Sequence, residues 1–122
     1  MNLKLIFSLS ILLTFIIFSG YGQTVTPGKM VPATEFYPGG QEAMYAFIKQ
    51  KVIYPPVAKR NRLQGECIVG LTINPDGTVG AIKIIKNIGG GTGEEAMRLV
   101  KLLQFNAIGY KLETSIPIIF KL

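Results

Sequence analysis

Few side chains in this chain could do covalent or metal chemistry. Its 122 residues include no histidine and a single cysteine, Cys67. Without histidine there is no Ser-His-Asp or Cys-His nucleophile pair and no histidine-based metal site. The seven carboxylates are scattered along the sequence. Glu94 and Glu95 are adjacent, but consecutive helix residues point about 100° apart. They suit a helix N-terminus better than an acid–base pair. The run Gly89-Gly90-Gly91-Thr92-Gly93 sits between a strand pattern and a helix pattern, the setting of a phosphate loop. It lacks the Gly-Lys-Ser/Thr ending and the GxGxxG spacing, so it reads as a flexible connection. No enzyme activity, cofactor or metal site is expected.

The chemistry that remains belongs to the backbone, and residues 112–122 concentrate it. Thr114, Ile116, Ile118, Phe120 and Leu122 fall on one face; Glu113, Ser115, Pro117, Ile119 and Lys121 fall on the other. This alternation marks a strand packed on one side. Pro117 cannot donate to a ladder, which places the strand at a sheet edge. An edge is an unpaired row of donors and acceptors, a hazard to be blunted or a place for another chain to dock. In an antiparallel pair, each residue directs its N–H and C=O to one side. Proline survives where its missing N–H faces outward, so Ser115 and Ile119 are expected to offer outward groups. Ile116, Ile118 and Phe120 are expected to bond inward.

The elements that position this strand follow from spacing. Residues 41–51 place Met44, Phe47 and Ile48 at helical intervals, and Tyr54-Pro55-Pro56 ends that helix. Pro56 suits the first turn of a short second helix over 56–63, where a missing N–H costs little. Cys67, Val69, Leu71 and Ile73 alternate as a strand, with Cys67 read as a small buried hydrophobe. Asn74-Pro75-Asp76-Gly77 is a turn, since proline presets φ and glycine accepts positive φ. A second strand covers 78–86, with a bulge expected between Val79 and Ile82, where the apolar parity changes. Thr92 and Glu95 fit a capping box. Ala96, Leu99, Val100 and Leu103 continue as an amphipathic helix.

Directions then give the topology. The helix returns the chain so that the last strand runs antiparallel to the first strand of the hairpin. The expectation is an α+β fold with a three-stranded antiparallel sheet, order 2-1-3. Two to three helices cover one face, and the terminal strand lies at an edge.

Residues 1–22 have the layout of a secretory signal: Lys4, an apolar run over 5–18, then Ser19-Gly20-Tyr21-Gly22. An uncleaved anchor is the alternative. Residues 23–35 read as a short linker and 36–122 as the domain. A lone cysteine excludes an internal disulfide, so stability rests on a core, which the 48% hydrophobic content supports. The net charge of +6, densest at Lys59, Arg60 and Arg62, suits an acidic partner or a membrane surface. Nucleic acid is not expected for an exported chain without Trp or interleaved aromatic-basic motifs.

The order of these pieces resembles the TonB carboxy-terminal domain family. Phe36-Tyr37-Pro38-Gly39-Gly40 is similar to the Phe-Pro-Gly-Gly entry of many members. Tyr54-Pro55 with Ala58 is similar to the Tyr-Pro-x-x-Ala helix start. Gly65 precedes the first hairpin strand, Asp76-Gly77 occupies the turn, and Glu95-Ala96 opens the second family helix. Ile116-Pro117-Ile118-Ile119-Phe120 is similar to the closing Pro-Ile-x-Phe strand.

The resemblance implies a periplasmic protein-interaction domain related to the energy transducers of outer-membrane transport. Residues Ser115, Ile116, Pro117, Ile118, Ile119 and Phe120 would then form the partner-binding strand, taking an extended receptor segment by β-strand addition. The implied partners are an outer-membrane receptor segment and, for an anchored form at the inner membrane, a larger inner-membrane complex. A homodimer or a non-transducing periplasmic scaffold is the alternative. Two departures stand out. The long spacer of the founding proteins is absent, since residues 23–35 reach at most ~45 Å. Phe105 and Ala107 also stand where many members have Trp and Pro.

Overall fold

The computed structural model describes residues 22–122. The expected signal segment, except Gly22, lies outside the described residues. A hairpin forms the centre of the fold. β2 (Gly65–Ile73) and β3 (Val79–Lys86) pair antiparallel around the 74–77 turn. Gly77 takes φ 91°, and its N–H donates to the Asn74 carbonyl at 2.8 Å. The turn is reinforced by Asp76, whose Oδ1 accepts from the Thr78 hydroxyl at 2.7 Å and the Thr78 N–H at 3.1 Å. These bonds favour the ionised carboxylate and hold Asp76 below the usual range.

The ladder slips twice. Leu71 opposes Ile82 while Ile73 opposes Val79, which is the bulge expected between Val79 and Ile82. A second irregularity separates the Ile68–Lys86 pair from the Val69–Ile84 pair and sets Ile85 out of the ladder. Ile85 remains exposed on the sheet's open face. There it leans over Gly70, where an added Cβ would meet its Cδ1 at 2.9 Å.

β4 (Leu112–Lys121) lies antiparallel along β2, from Gly65 opposite Phe120 to Ile73 opposite Leu112. Its alternation sends Ile116, Ile118 and Phe120 into the core. They meet Cys67, Val69, Leu71 and Ile73 of β2. Cys67 is a buried free thiol, as its strand parity requires. α1 (Gly40–Lys51) adds Met44, Tyr45 and Ile48 to this core, and α3 (Thr92–Lys101) adds Ala96, Leu99 and Val100. Between them, α2 (Pro56–Arg60) starts on the proline that suits a first turn. Lys59 and Arg60 of α2, with Arg62 just beyond it, are exposed.

The three-stranded sheet of order 2-1-3 is corrected by the structure. The sheet has four strands in the order β1-β4-β2-β3. The additional strand, β1 (Gln23–Val25), comes from the stretch expected to be linker. It pairs antiparallel with the end of β4, Gln23 to Lys121, Thr24 to Phe120 and Val25 to Ile119. After it, Pro32–Phe36 forms a 3-10 turn that buries Ala33 and Thr34. Thr and Val favour extended backbone, but three residues before Pro27-Gly28 are too short a pattern to identify as a strand. The outer edge of β4 is therefore covered at one end.

The capping box is also corrected. The N-cap of α3 is Gly91, at φ 90°, with no side-chain cap. Thr92 donates its hydroxyl to the Gly89 carbonyl at 2.6 Å instead. The Glu95 carboxylate accepts from the Ile53 N–H at 2.6 Å and from Arg98 Nε and a terminal guanidinium nitrogen at 2.6 and 2.7 Å. Arg98 also donates to the Lys51 carbonyl at 2.8 Å. This cluster binds the end of α1 to α3. Across the molecule, the Phe36-Tyr37 entry meets the 105–106 loop. Tyr37 stacks edge-on to Phe105 at 5.8 Å, and the Asn106 N–H donates to the Phe36 carbonyl.

Candidate functional site

Tyr45 of α1 is buried, and its hydroxyl donates to the Pro117 carbonyl at 2.8 Å. Pro117 therefore turns its carbonyl away from β2. By strand parity, Glu113, Ser115, Ile119 and Lys121 turn their N–H and C=O to that side as well. Ile119 and Lys121 face Val25 and Gln23 of β1. Among the described residues, no backbone group pairs with the outer side of Glu113 or Ser115. Glu113 is exposed and Ser115 half-buried.

The six residues singled out in the sequence thus divide into two sets. Ser115, Pro117 and Ile119 carry outward backbone groups and lie on the open face, half-buried. Ile116, Ile118 and Phe120 are at most 1% exposed. Their backbone groups face β2, and they position the strand from within. Phe120 is further fixed by Tyr54, stacked edge-on at 5.5 Å, whose hydroxyl bonds the Leu63 carbonyl.

A shallow groove of about 410 Å³ runs on the open side of this edge, between the 27–32 loop and Glu66, Ser115, Pro117 and Ile119. The loop wall is held by one side chain that the sequence did not point to. Gln41 Nε2 donates to the Pro27 and Lys29 carbonyls at 3.2 and 2.8 Å, and its Oε1 accepts from the Val31 N–H at 2.7 Å. A second depression of about 580 Å³ lies over Gly70 between Lys83, Ile85 and Glu113. Burial, and then the charge of Glu66, push the Tyr45 hydroxyl well above the ordinary tyrosine range. It stays a neutral donor to Pro117 at all physiological pH.

Among the described residues, no three His, Cys, Asp or Glu side chains gather as metal ligands. No helix among them is long and apolar enough to cross a membrane. The arrangement offers a partner hydrogen-bonding backbone beside an apolar strip.

The chain's fold is similar to the NMR solution structure of the Helicobacter pylori TonB C-terminal domain. The two share 26% identity at a TM-score of 0.56, over 79% of this chain and 96% of that one. No curated protein matches the chain. The family model described as Gram-negative bacterial TonB protein C-terminal matches residues 50–122, which include the hairpin, α3 and β4. With most of the chain matched and the fold in agreement, the chain belongs to the TonB C-terminal family.

Proposed function

We propose that the chain is an exported, non-enzymatic TonB-like interaction domain. It takes an extended segment of an outer-membrane receptor by strand addition along β4. The observation that carries this reading is the unpaired outer backbone of Glu113 and Ser115, next to the groove at Ser115, Pro117 and Ile119. Family membership supports a protein partner of this class. Four backbone bonds at roughly 0.5–1.5 kcal/mol net give ~2–6 kcal/mol, and association costs offset much of that. The interaction is accordingly weak and transient unless side chains such as Ile119 add to it.

A photo-crosslinker at Ser115 in intact cells tests the reading. Capture of an outer-membrane receptor is expected. Capture only from the Lys59–Arg62 face would refute it.

The periplasm is the proposed location, with an inner-membrane-anchored form as the alternative. The mass of the mature protein separates them, since a mass beginning at Gln23 removes the anchored form and its inner-membrane complex. A second reading, a self-associating scaffold, is favoured by β3. That strand is the sheet's other edge, and its Ile85 is 55% exposed on the open face. Light scattering at several concentrations tests it, and a strict monomer rules it out.

A further inference from the structure

β1 is short, and it meets two elements, β4 and α1. It contributes three residues to the sheet, at the end of the strand that the proposed partner would use. Its middle residue, Thr24, points to the same face as Phe120 and is 1% exposed. Among the described residues, the Thr24 hydroxyl oxygen has no hydrogen-bond partner. A buried hydroxyl without a partner weakens whatever it is attached to. The socket that receives Thr24 is therefore shaped for a β-branched side chain but chemically suited to an apolar one. The chain that follows depends on Gln41, whose amide spans Pro27, Lys29 and Val31.

We propose that β1 is an internal occupant of the partner's rail. An incoming strand that carries valine or isoleucine opposite Phe120 displaces it. This inference rests on the strand-addition reading and adds a gate and a preference to it. With β1 seated, the outward backbone groups of β4 left unpaired among the described residues are those of Glu113 and Ser115. With β1 released, Ile119 and Lys121 join them, and the rail extends past Pro117 on both sides. The partner strand gains by placing an apolar β-branched residue where Thr24 leaves its hydroxyl unbonded. Selectivity thus arises at a position that β1 fills imperfectly.

Two substitutions in the full chain push the gate in opposite directions. Thr24→Val keeps the shape and removes the unbonded hydroxyl, so it tightens β1. Gln41→Ala removes the amide that holds the following loop, so it loosens β1. Hydrogen exchange at the Ile119 amide, which faces β1, reads the opening directly. The Ile118 amide, which faces β2, is the internal reference. In the unmodified chain Ile119 is expected to exchange at least about tenfold faster than Ile118. Thr24→Val is expected to slow Ile119 by about 5- to 100-fold, and Gln41→Ala to speed it about tenfold, with Ile118 unchanged in both.

The competition arm uses a synthetic peptide of residues 22–28 with valine at the Thr24 position, titrated against each full chain by NMR. Its affinity is expected to rise for Gln41→Ala and fall for Thr24→Val. Equal exchange at Ile119 and Ile118, unresponsive to either substitution, would overturn the gate. So would peptide affinity that is the same in all three chains. If the gate responds as expected while Ser115 captures no receptor in cells, strand addition to a receptor fails and the internal competition stands.

Discussion

Tyr45 and Pro117, 72 residues apart in sequence, are joined by a hydrogen bond of 2.8 Å from the Tyr45 hydroxyl to the Pro117 carbonyl. Proline removes a donor from the outer side of β4, and tyrosine satisfies the acceptor left there. At Pro117 the edge is closed by a side chain, where at Ile119 and Lys121 it is closed by the backbone of β1. The side chain that closes it comes from α1, so the helix and the edge are registered on each other.

Tyr45→Phe leaves the Pro117 carbonyl without its donor in a partly buried setting. The expected loss is about 1–3 kcal/mol of folding stability, measured by urea denaturation at neutral pH. The same variant has a pH signature. Tyr45 titrates higher in the folded protein than in the unfolded chain, where tyrosine titrates near about 10. Its contribution is complete below that value and is lost as pH rises through the folded pKa, because the unfolded chain releases the proton first. Stability of the unmodified protein is expected to fall above about pH 10. The fall is shallower in Tyr45→Phe, with a remainder because burial also raises Tyr37 and Tyr54.

Proline scanning separates the two sides of β4. Ser115→Pro removes an outward N–H and no bond to β2, so stability is expected to change by less than about 1 kcal/mol. Receptor capture should fall. Ile116→Pro removes an inward N–H opposite Val69, and is expected to cost about 3 kcal/mol or more. Thermal melting of the two variants checks the contrast, and equal losses would contradict the assigned parity.

Glu95 is a buried joint rather than a surface charge. Glu95→Ala leaves the Ile53 N–H without its acceptor and Arg98 without its bidentate partner. An expected loss of about 1–3 kcal/mol follows from the unsatisfied amide. Arg98 adds little, because it is partly exposed. Glu95→Gln keeps one acceptor and should lose less, a ranking that urea midpoints will show.

Gly77→Ala meets two obstacles at once. The residue has φ 91°, and an added Cβ would lie 2.1 Å from the Phe105 carbonyl oxygen. Strain at such a φ costs about 1–3 kcal/mol by itself, and the collision adds to it by pushing the 105–106 loop off the hairpin. The Phe105 N–H bonds the Gly77 carbonyl at 3.0 Å, so its exchange rate should rise sharply in the variant.

The parts of this fold that could be read from the chain were those with strong periodicity or a strong exclusion. Pro117 fixed the parity of β4 because a missing N–H has one tolerable direction. Asn74-Pro75-Asp76-Gly77 identified the hairpin because each residue suits its turn position. β1 escaped because Gln23-Thr24-Val25 is too short to show alternation, and its pairing is decided by distant Lys121, Phe120 and Ile119. The Glu95 joint was misread because the local spacing Thr92-x-x-Glu95 fits a cap equally well. Only the fold brings the Ile53 amide within reach. Gln41 gave no signal at all, since a glutamine on a helix is ordinary until a loop crosses it.

The pairing of Gln23 with Lys121 has a mechanical consequence. These residues form the first rung of the β1–β4 ladder when it is followed from Gln23. Tension pulling Gly22 sideways from the sheet would load that rung alone, then Thr24, then Val25. The strand would peel in sequence instead of resisting in shear. A modest pull from that side would strip β1 while leaving the nine-residue pairing of β4 with β2 unloaded.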